Sequence, residues 1–260
     1  MKRMTTRSLT PAMLAAAAAL LCFSPLPAAS QNDALRVLIS NGMKGSIEDL
    51  QPLAEKAIGR PLSIAFSSTA GLKEKIAAGE TFDATIITVQ AIDGLIQQGK
   101  LTAASRKNIG RSQLGIGIRS GTPKPDIHTV EALKKSLLAA KSITYPQDGA
   151  SRGDLEKMFE RLGIAAELKP KIMLAPGSGP AAESVAEGKA AMVLTLFSEI
   201  VPTKGLEILG PLPGEYQSDV KFAAAISATS KNADAATALI AFLTGPKAAP
   251  VLKAKGIDPQ

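Results

Sequence analysis

Residues 37–46 read VLISNGMKGS. An apolar run from Val37 to Ile39 passes through Ser40, Asn41 and Gly42 into a stretch with helical spacing. A short buried strand, a turn of small polar residues and then a helix is the unit from which open α/β sheets are built. The same stretch poses a problem. Lys44 stands near the start of the helix, where the helix dipole favours anions. Residues 148–157, DGASRGDLEK, repeat the arrangement, with Arg152 directly after Ser151.

Outward from this stretch the pattern continues. Strands are expected at 35–39, 62–66, 84–88, 114–118, 142–144, 172–174, 191–196 and 222–226. Helices are expected at 46–58, 70–78, 89–98, 129–140, 153–162, 180–187 and 232–243. Such alternation argues for an α/β fold with mostly parallel sheets. The chain of 260 residues exceeds one typical domain, so two lobes are expected. The polar stretch SRKNIGRSQ marks a change of lobe, and GPLPGEYQSD, rich in Pro and Gly, marks the return. The division expected is 31–112 for the first lobe, 113–218 for the second, and 219–260 completing the first.

Residues 1–30, MKRMTTRSLTPAMLAAAAALLCFSPLPAAS, stand apart. A basic start (Lys2, Arg3, Arg7), an apolar stretch at 12–23 and a small-residue end read as a secretory signal peptide. Export to a bacterial periplasm follows. The single cysteine, Cys22, lies inside this segment. The mature chain therefore offers no disulfide, no thiol nucleophile and no Cys-type metal site. No later segment is long and apolar enough for stable membrane insertion.

The formal net charge is +7, part of it contributed by the three cations of the signal segment. The other basic residues are interspersed with acids, as in KEKIAAGE, and read as solvated helix faces. Tryptophan is absent and aromatics make up 3% of the chain. Neither a stacking surface nor a basic stripe for nucleic acid is present. With no clustered His or Cys, neither a metal nor a cofactor is implied.

Four turns share one design, a strand, then small hydroxyl or glycine residues, then a helix. They are Ser40-Asn41-Gly42, Ser67-Ser68-Thr69, Gly149-Ala150-Ser151 and Gly177-Ser178-Gly179-Pro180. Pro180 suits a first helical position, and Ser151 with Asp154 reads as a capping box. Helix starts of this kind expose backbone N–H groups and a positive dipole end, which together favour anions. Ligands of open α/β sheets gather at the carboxyl ends of strands, where all four turns fall. Two turns from each lobe point to a shared anion cleft.

With these residues in view, RVLISNGMKGSIEDLQPLAEKAIGRPLSIAFSSTAGLKEKIAAGETFDATIITVQAIDGLIQQGKL resembles the opening of the molybdate-binding periplasmic receptors. The similarity extends with decreasing clarity to LTGPKAAPVLKAKGIDP. It implies a type II periplasmic binding-protein fold, with two α/β lobes, a cleft between them, and a ligand clamped there. In that family serine hydroxyls and helix-start amides hold an oxyanion, with help from a tyrosine late in the second lobe. Ser68 and Thr69 match the second hydroxyl cluster. Gly42 stands where the first family serine belongs, and Leu196, or nearby Thr195, stands in place of the tyrosine.

These departures, together with Lys44 and Arg152, point away from a compact oxyanion. One cation from each lobe would face the other across the cleft and hold a ligand with several negative charges, a di- or tricarboxylate. Alternatively, Ser46 and Asp49 form a capping box and leave Lys44 in the loop before the helix. One branch that resembles this receptor family is enzymatic, the bacterial aconitate isomerases, which shift a proton along an allylic system. Such chemistry needs a base, an acid and cationic or dipolar stabilisation of the intermediate. Lys44 is the expected base, and Arg152 the carboxylate anchor. Asn41, Gly42, Ser67, Ser68, Thr69, Ser151, Ser178 and Thr195 are the expected ligand-binding set. Glu199 in TLFSEI is a second base candidate or a rim residue. The only histidine, His128, reads as a surface residue. The competing expectation is a solute receptor for an ABC importer, with a permease as partner and a small organic anion or molybdate-like oxyanion as ligand.

Overall fold

The computed structural model describes Met1 and residues 34–260; the signal-peptide reading lies outside the described residues. Strand β1 (Leu35–Ser40) is followed by a 3-10 turn at Asn41–Met43 and helix α1 (Lys44–Ile58). Strand β2 (Leu62–Ser67), helix α2 (Thr69–Ala77), strand β3 (Ala84–Thr88) and helix α3 (Val89–Gln97) come next. β1 pairs in parallel with β2 on one side and β3 on the other. This explains the nearly unbroken apolar run of β1. Leu35, Val37 and Ile39 enter a core beneath α1, whereas Leu38 enters a second core beneath α2 and α3. A strand covered on both faces cannot alternate with polar residues. Within α1 the buried positions Ile47, Leu50 and Ala54 recur at helical spacing, and Gly59 ends the helix in the left-handed conformation (φ 66°).

Strand β4 (Lys107–Arg119) is the longest. Its first half pairs antiparallel with β9 (Asp219–Ile226), and its second half pairs with β7 (Met192–Leu196) and β8 (Leu206–Pro211). One strand therefore runs through both lobes. The second lobe is built from α4 (Val130–Ala139), β5 (Ile143–Pro146), α5 (Arg152–Arg161), α6 (Ala165–Leu168), β6 (Ile172–Ala175), α7 (Ser178–Ala186), β7 and α8 (Phe197–Ile200). β5 pairs in parallel with β6 and β7. After β9, helices α9 (Ala233–Leu243) and α10 (Ala249–Ala254) pack on the first lobe, and β10 (Asp258–Pro259) pairs with β4. The strand order is β2-β1-β3-β9-β4-β7-β5-β6.

The sheets are parallel only inside each lobe. Every pairing of β4 and β9 is antiparallel, which corrects the expectation of mostly parallel sheets. The long strands that join the lobes run against the βαβ units on either side. The eight expected strands and seven expected helices all form, with shifted ends; β8, β10, α6, α8 and α10 had not been anticipated.

At the junction of the lobes, β4 carries Gly115. A Cβ there would lie 2.1 Å from Cε1 of Phe197, the first residue of α8. Only glycine allows α8 to sit this close to the strand. Nearby, the buried Ser112 hydroxyl accepts a hydrogen bond from the Ser198 N–H (3.0 Å) and donates to the Gly256 carbonyl (2.9 Å). One side chain thus ties together β4, α8 and the turn after α10.

Candidate functional site

The four hydroxyl and glycine turns follow β1, β2, β5 and β6, all at carboxyl strand ends. All four contribute to one cavity between the lobes. The first lobe supplies Ser40, Asn41, Gly42, Ser68 and Thr69; the second supplies Asp148, Gly149, Ala150, Ser178, Leu196 and Glu199. The cleft is narrow, with about 10 Å³ open to the centre of a water molecule. Asn41, Ser178 and Glu199 also line an adjoining open groove of about 580 Å³, together with Lys44, Glu48, Glu183 and Lys204.

Local chemistry explains how each side chain is held. Ser68 is the N-cap of α2, and its hydroxyl accepts from the Gly71 N–H at 3.0 Å. Thr69 Oγ1 donates to Ser40 Oγ at 3.4 Å, joining two of the turns. Ser178 opens α7 and is buried. Gly42 has a steric reason: a Cβ would lie 2.6 Å from Phe222 Cζ and 3.3 Å from Leu196 Cδ1. The two departures from the receptor pattern, Gly42 and Leu196, are therefore neighbours. Leu196 and Phe222 belong to the apolar core of the first lobe, and they fill the space that a side chain at position 42 would need.

The carboxyl of Glu199, a second base candidate or a rim residue by sequence, lies in the wall of this cavity. The residue is partly buried, with some surface open toward the groove. Thr195 Oγ1 donates to Glu199 Oε2, the Leu196 N–H approaches the same oxygen at 3.4 Å, and Ser178 supplies a further hydrogen bond. Burial holds its pKa above the ordinary glutamate range; these three hydrogen bonds oppose the shift, and Asp148 adds to it. The side chain reaches the cleft from α8, a helix of four residues. The LTLF that precedes it does not match the hydroxyl–glycine turn design. The readable signal was a glutamate three residues past a buried strand, where it can accept from the N–H at the helix start.

Other expected residues fall outside the cavity. Ser67 ends β2 half-buried behind Ser68, with its hydroxyl against Gly71. Ser151 is buried beside the β5–α5 turn and makes no cap to Asp154, so that capping box does not form. Thr195 is fully buried and touches the site through Glu199. Pro180 occupies the third helical position of α7, not the first.

The two cations are not brought together across the cavity. Lys44 is the first residue of α1; its ammonium lies 3.7 Å from Glu48 Oε1, with the side chain 54% exposed. The alternative capping box fails as well, because the helix starts before Ser46 and buries its hydroxyl without a partner. Arg152 is the first residue of α5. It donates to Glu156 Oε1 at 2.8 Å and to the Gln147 carbonyl. Both cations thus have the same local explanation: a glutamate four residues on, one helical turn away. Such exposed pairs contribute only about 0.3–0.5 kcal/mol. Among the described residues, the side chains lining the shut cavity include two carboxyls and no cation.

His128 is exposed, bonded to Asp126 at 2.7 Å, and lines neither the cavity nor the groove. Among the described residues there is no group of three or more His, Cys, Asp or Glu side chains that could hold a metal ion, and no helix long and apolar enough to cross a membrane.

Two α/β lobes joined by long antiparallel strands, with helix starts converging on a cleft, define a type II periplasmic binding protein. Comparison with known proteins agrees. Residues 35–258 match the family described as bacterial extracellular solute-binding protein, and the chain belongs to that family. It is 32% identical to an aconitate isomerase of a Pseudomonas species over 252 residues, covering 95% of each chain. It is 25% identical to the molybdate-binding protein ModA of Azotobacter vinelandii, over 89% of this chain and 92% of that one. The solved periplasmic molybdate-binding protein of Azotobacter vinelandii superposes with a TM-score of 0.73 at 21% identity, over 87% of this chain and 100% of that chain.

Proposed function

We propose that the protein is a periplasmic isomerase that interconverts trans- and cis-aconitate by an allylic proton shift. The observation that carries this reading is the full-length 32% identity to an aconitate isomerase, in a chain whose cleft holds a buried carboxyl. A proton leaves the substrate's methylene carbon, charge spreads over the allylic carbons and their carboxylate, and a proton returns at the far carbon. One C–H bond breaks and one forms, with no oxidation and no cofactor. Backbone amides at Asn41 and Gly42, the hydroxyls of Ser68, Thr69 and Ser178, and the helix starts behind them suit the substrate carboxylates. Ser67, Ser151 and Thr195 support these turns from behind. Lys44 attracts the polyanion from the groove, and Arg152 shapes the β5–α5 turn by holding the Gln147 carbonyl. Residues 1–30 export the chain.

A second reading, a solute receptor serving an ABC permease, is favoured by the family match and by the ModA relatives. Incubating the purified mature protein with trans-aconitate and following the cis isomer by proton NMR separates the two. Catalytic turnover is expected. Stoichiometric binding without turnover would replace the isomerase by the receptor.

A further inference from the structure

We infer that Glu199 is the catalytic group that carries the proton, an assignment that rests on the isomerase reading. The argument is one of position. Glu199 forms part of the wall between the shut cavity and the open groove, so one carboxyl meets both the ligand space and solvent. Thr195 Oγ1 and the Leu196 N–H both point at Oε2, which fixes the orientation of the group. Among the described residues no salt bridge neutralises it. The charged groups around it are Asp148 on the β5–α5 turn and, along the groove, Lys44, Glu48, Glu183, Glu187 and Lys204.

A carboxyl largely enclosed by protein and without a counter-cation is costly to ionise. Burial also makes its ionised form a stronger base. In the forward step the carboxylate takes the methylene proton as the C–H bond breaks and becomes the neutral acid. It then gives a proton to the far allylic carbon, which restores the carboxylate. Lys44 is ion-paired with Glu48 and half-exposed at the groove.

The test uses the mature wild type, Glu199→Gln and Thr195→Val, with trans-aconitate as probe, NMR for turnover and calorimetry for binding. Glu199→Gln is expected to lower kcat at least about 100-fold and to leave the dissociation constant within about fivefold, a discrimination between reaction and binding that structural damage would not give. Thr195→Val removes a hydrogen bond that favours the charged carboxyl, so the acidic limb of the kcat/KM profile should move to higher pH while turnover persists. Should Glu199→Gln not fold, this displaced limb decides. A Glu199→Gln protein that keeps more than a tenth of an active wild type's turnover, or an unmoved limb in Thr195→Val, overturns the assignment and leaves the isomerase standing. A wild type that binds trans-aconitate without converting it overturns the isomerase reading, and the assignment with it.

Discussion

Gly42 illustrates how a single missing side chain shapes this cleft. Its absent Cβ makes room for Phe222 and Leu196, so a serine at this position would have to push both side chains aside. Gly42→Ser should cost about 1–3 kcal/mol through overpacking, which lowers Tm by roughly 2–4 °C per kcal/mol for a chain of this size; differential scanning calorimetry reads it. Glu199 makes a second residue-level prediction. Its folded pKa lies above the unfolded one, so the stability it contributes is fully present below the ordinary glutamate pKa and is lost as pH rises through the raised value. Glu199→Gln has no such dependence. The Tm difference, variant minus wild type, should therefore increase from acidic to neutral pH; a difference independent of pH would contradict the shift. Ser68 and Thr69 were legible as cleft residues because a cap announces itself locally. Glu199 was legible only as an alternative, because its burial comes from elements distant in sequence. Lys44 and Arg152 were expected to face each other across the cleft, whereas each pairs with a glutamate four residues on.

At the scale of elements, the alternating apolar and amphipathic runs made the βαβ units readable, since each strand is covered on both faces and each helix buries one stripe. The pieces that escaped, α6, α8, α10, β8 and β10, are too short or too dependent on neighbours to show a period. Of these, α8 matters most, because it holds Glu199 in the cleft wall. Gly115 permits its position. Gly115→Ala would set a methyl against Phe197 and push the first residue of α8 outward. We expect trans-aconitate turnover to fall by about 10- to 100-fold, as misplacement of a reacting group by an ångström does, with a loss of only a few degrees in Tm. Equal turnover in the variant would show that α8 tolerates the shift.

For the whole molecule, the strand shared by both lobes and the nearly closed cavity act together. The space between the lobes is narrow for a tricarboxylate, so the lobes are expected to separate to admit a ligand of that size. Bending is expected where β4 changes partners and where the chain crosses back into β9, the two places at which a few residues can absorb the motion. Small-angle scattering should find the ligand-free protein more extended than the saturated one, the latter approaching about 17 Å in radius of gyration, the value for a compact chain of this length. Identical scattering curves with and without trans-aconitate, at saturation, would argue against closure. The lobes and their cleft could be expected from the sequence because strand–turn–helix units repeat. The shared strand could not, because 107–113 is polar and punctuated on paper and becomes a strand only by pairing with a segment more than a hundred residues later.

Ser112 extends this reach to the very end of the polypeptide. Its hydroxyl holds the carbonyl of Gly256 and the amide of Ser198 at once, so the last few residues brace the helix that presents Glu199. Trimming the protein after Lys255 should therefore slacken the cleft wall formed some sixty residues upstream.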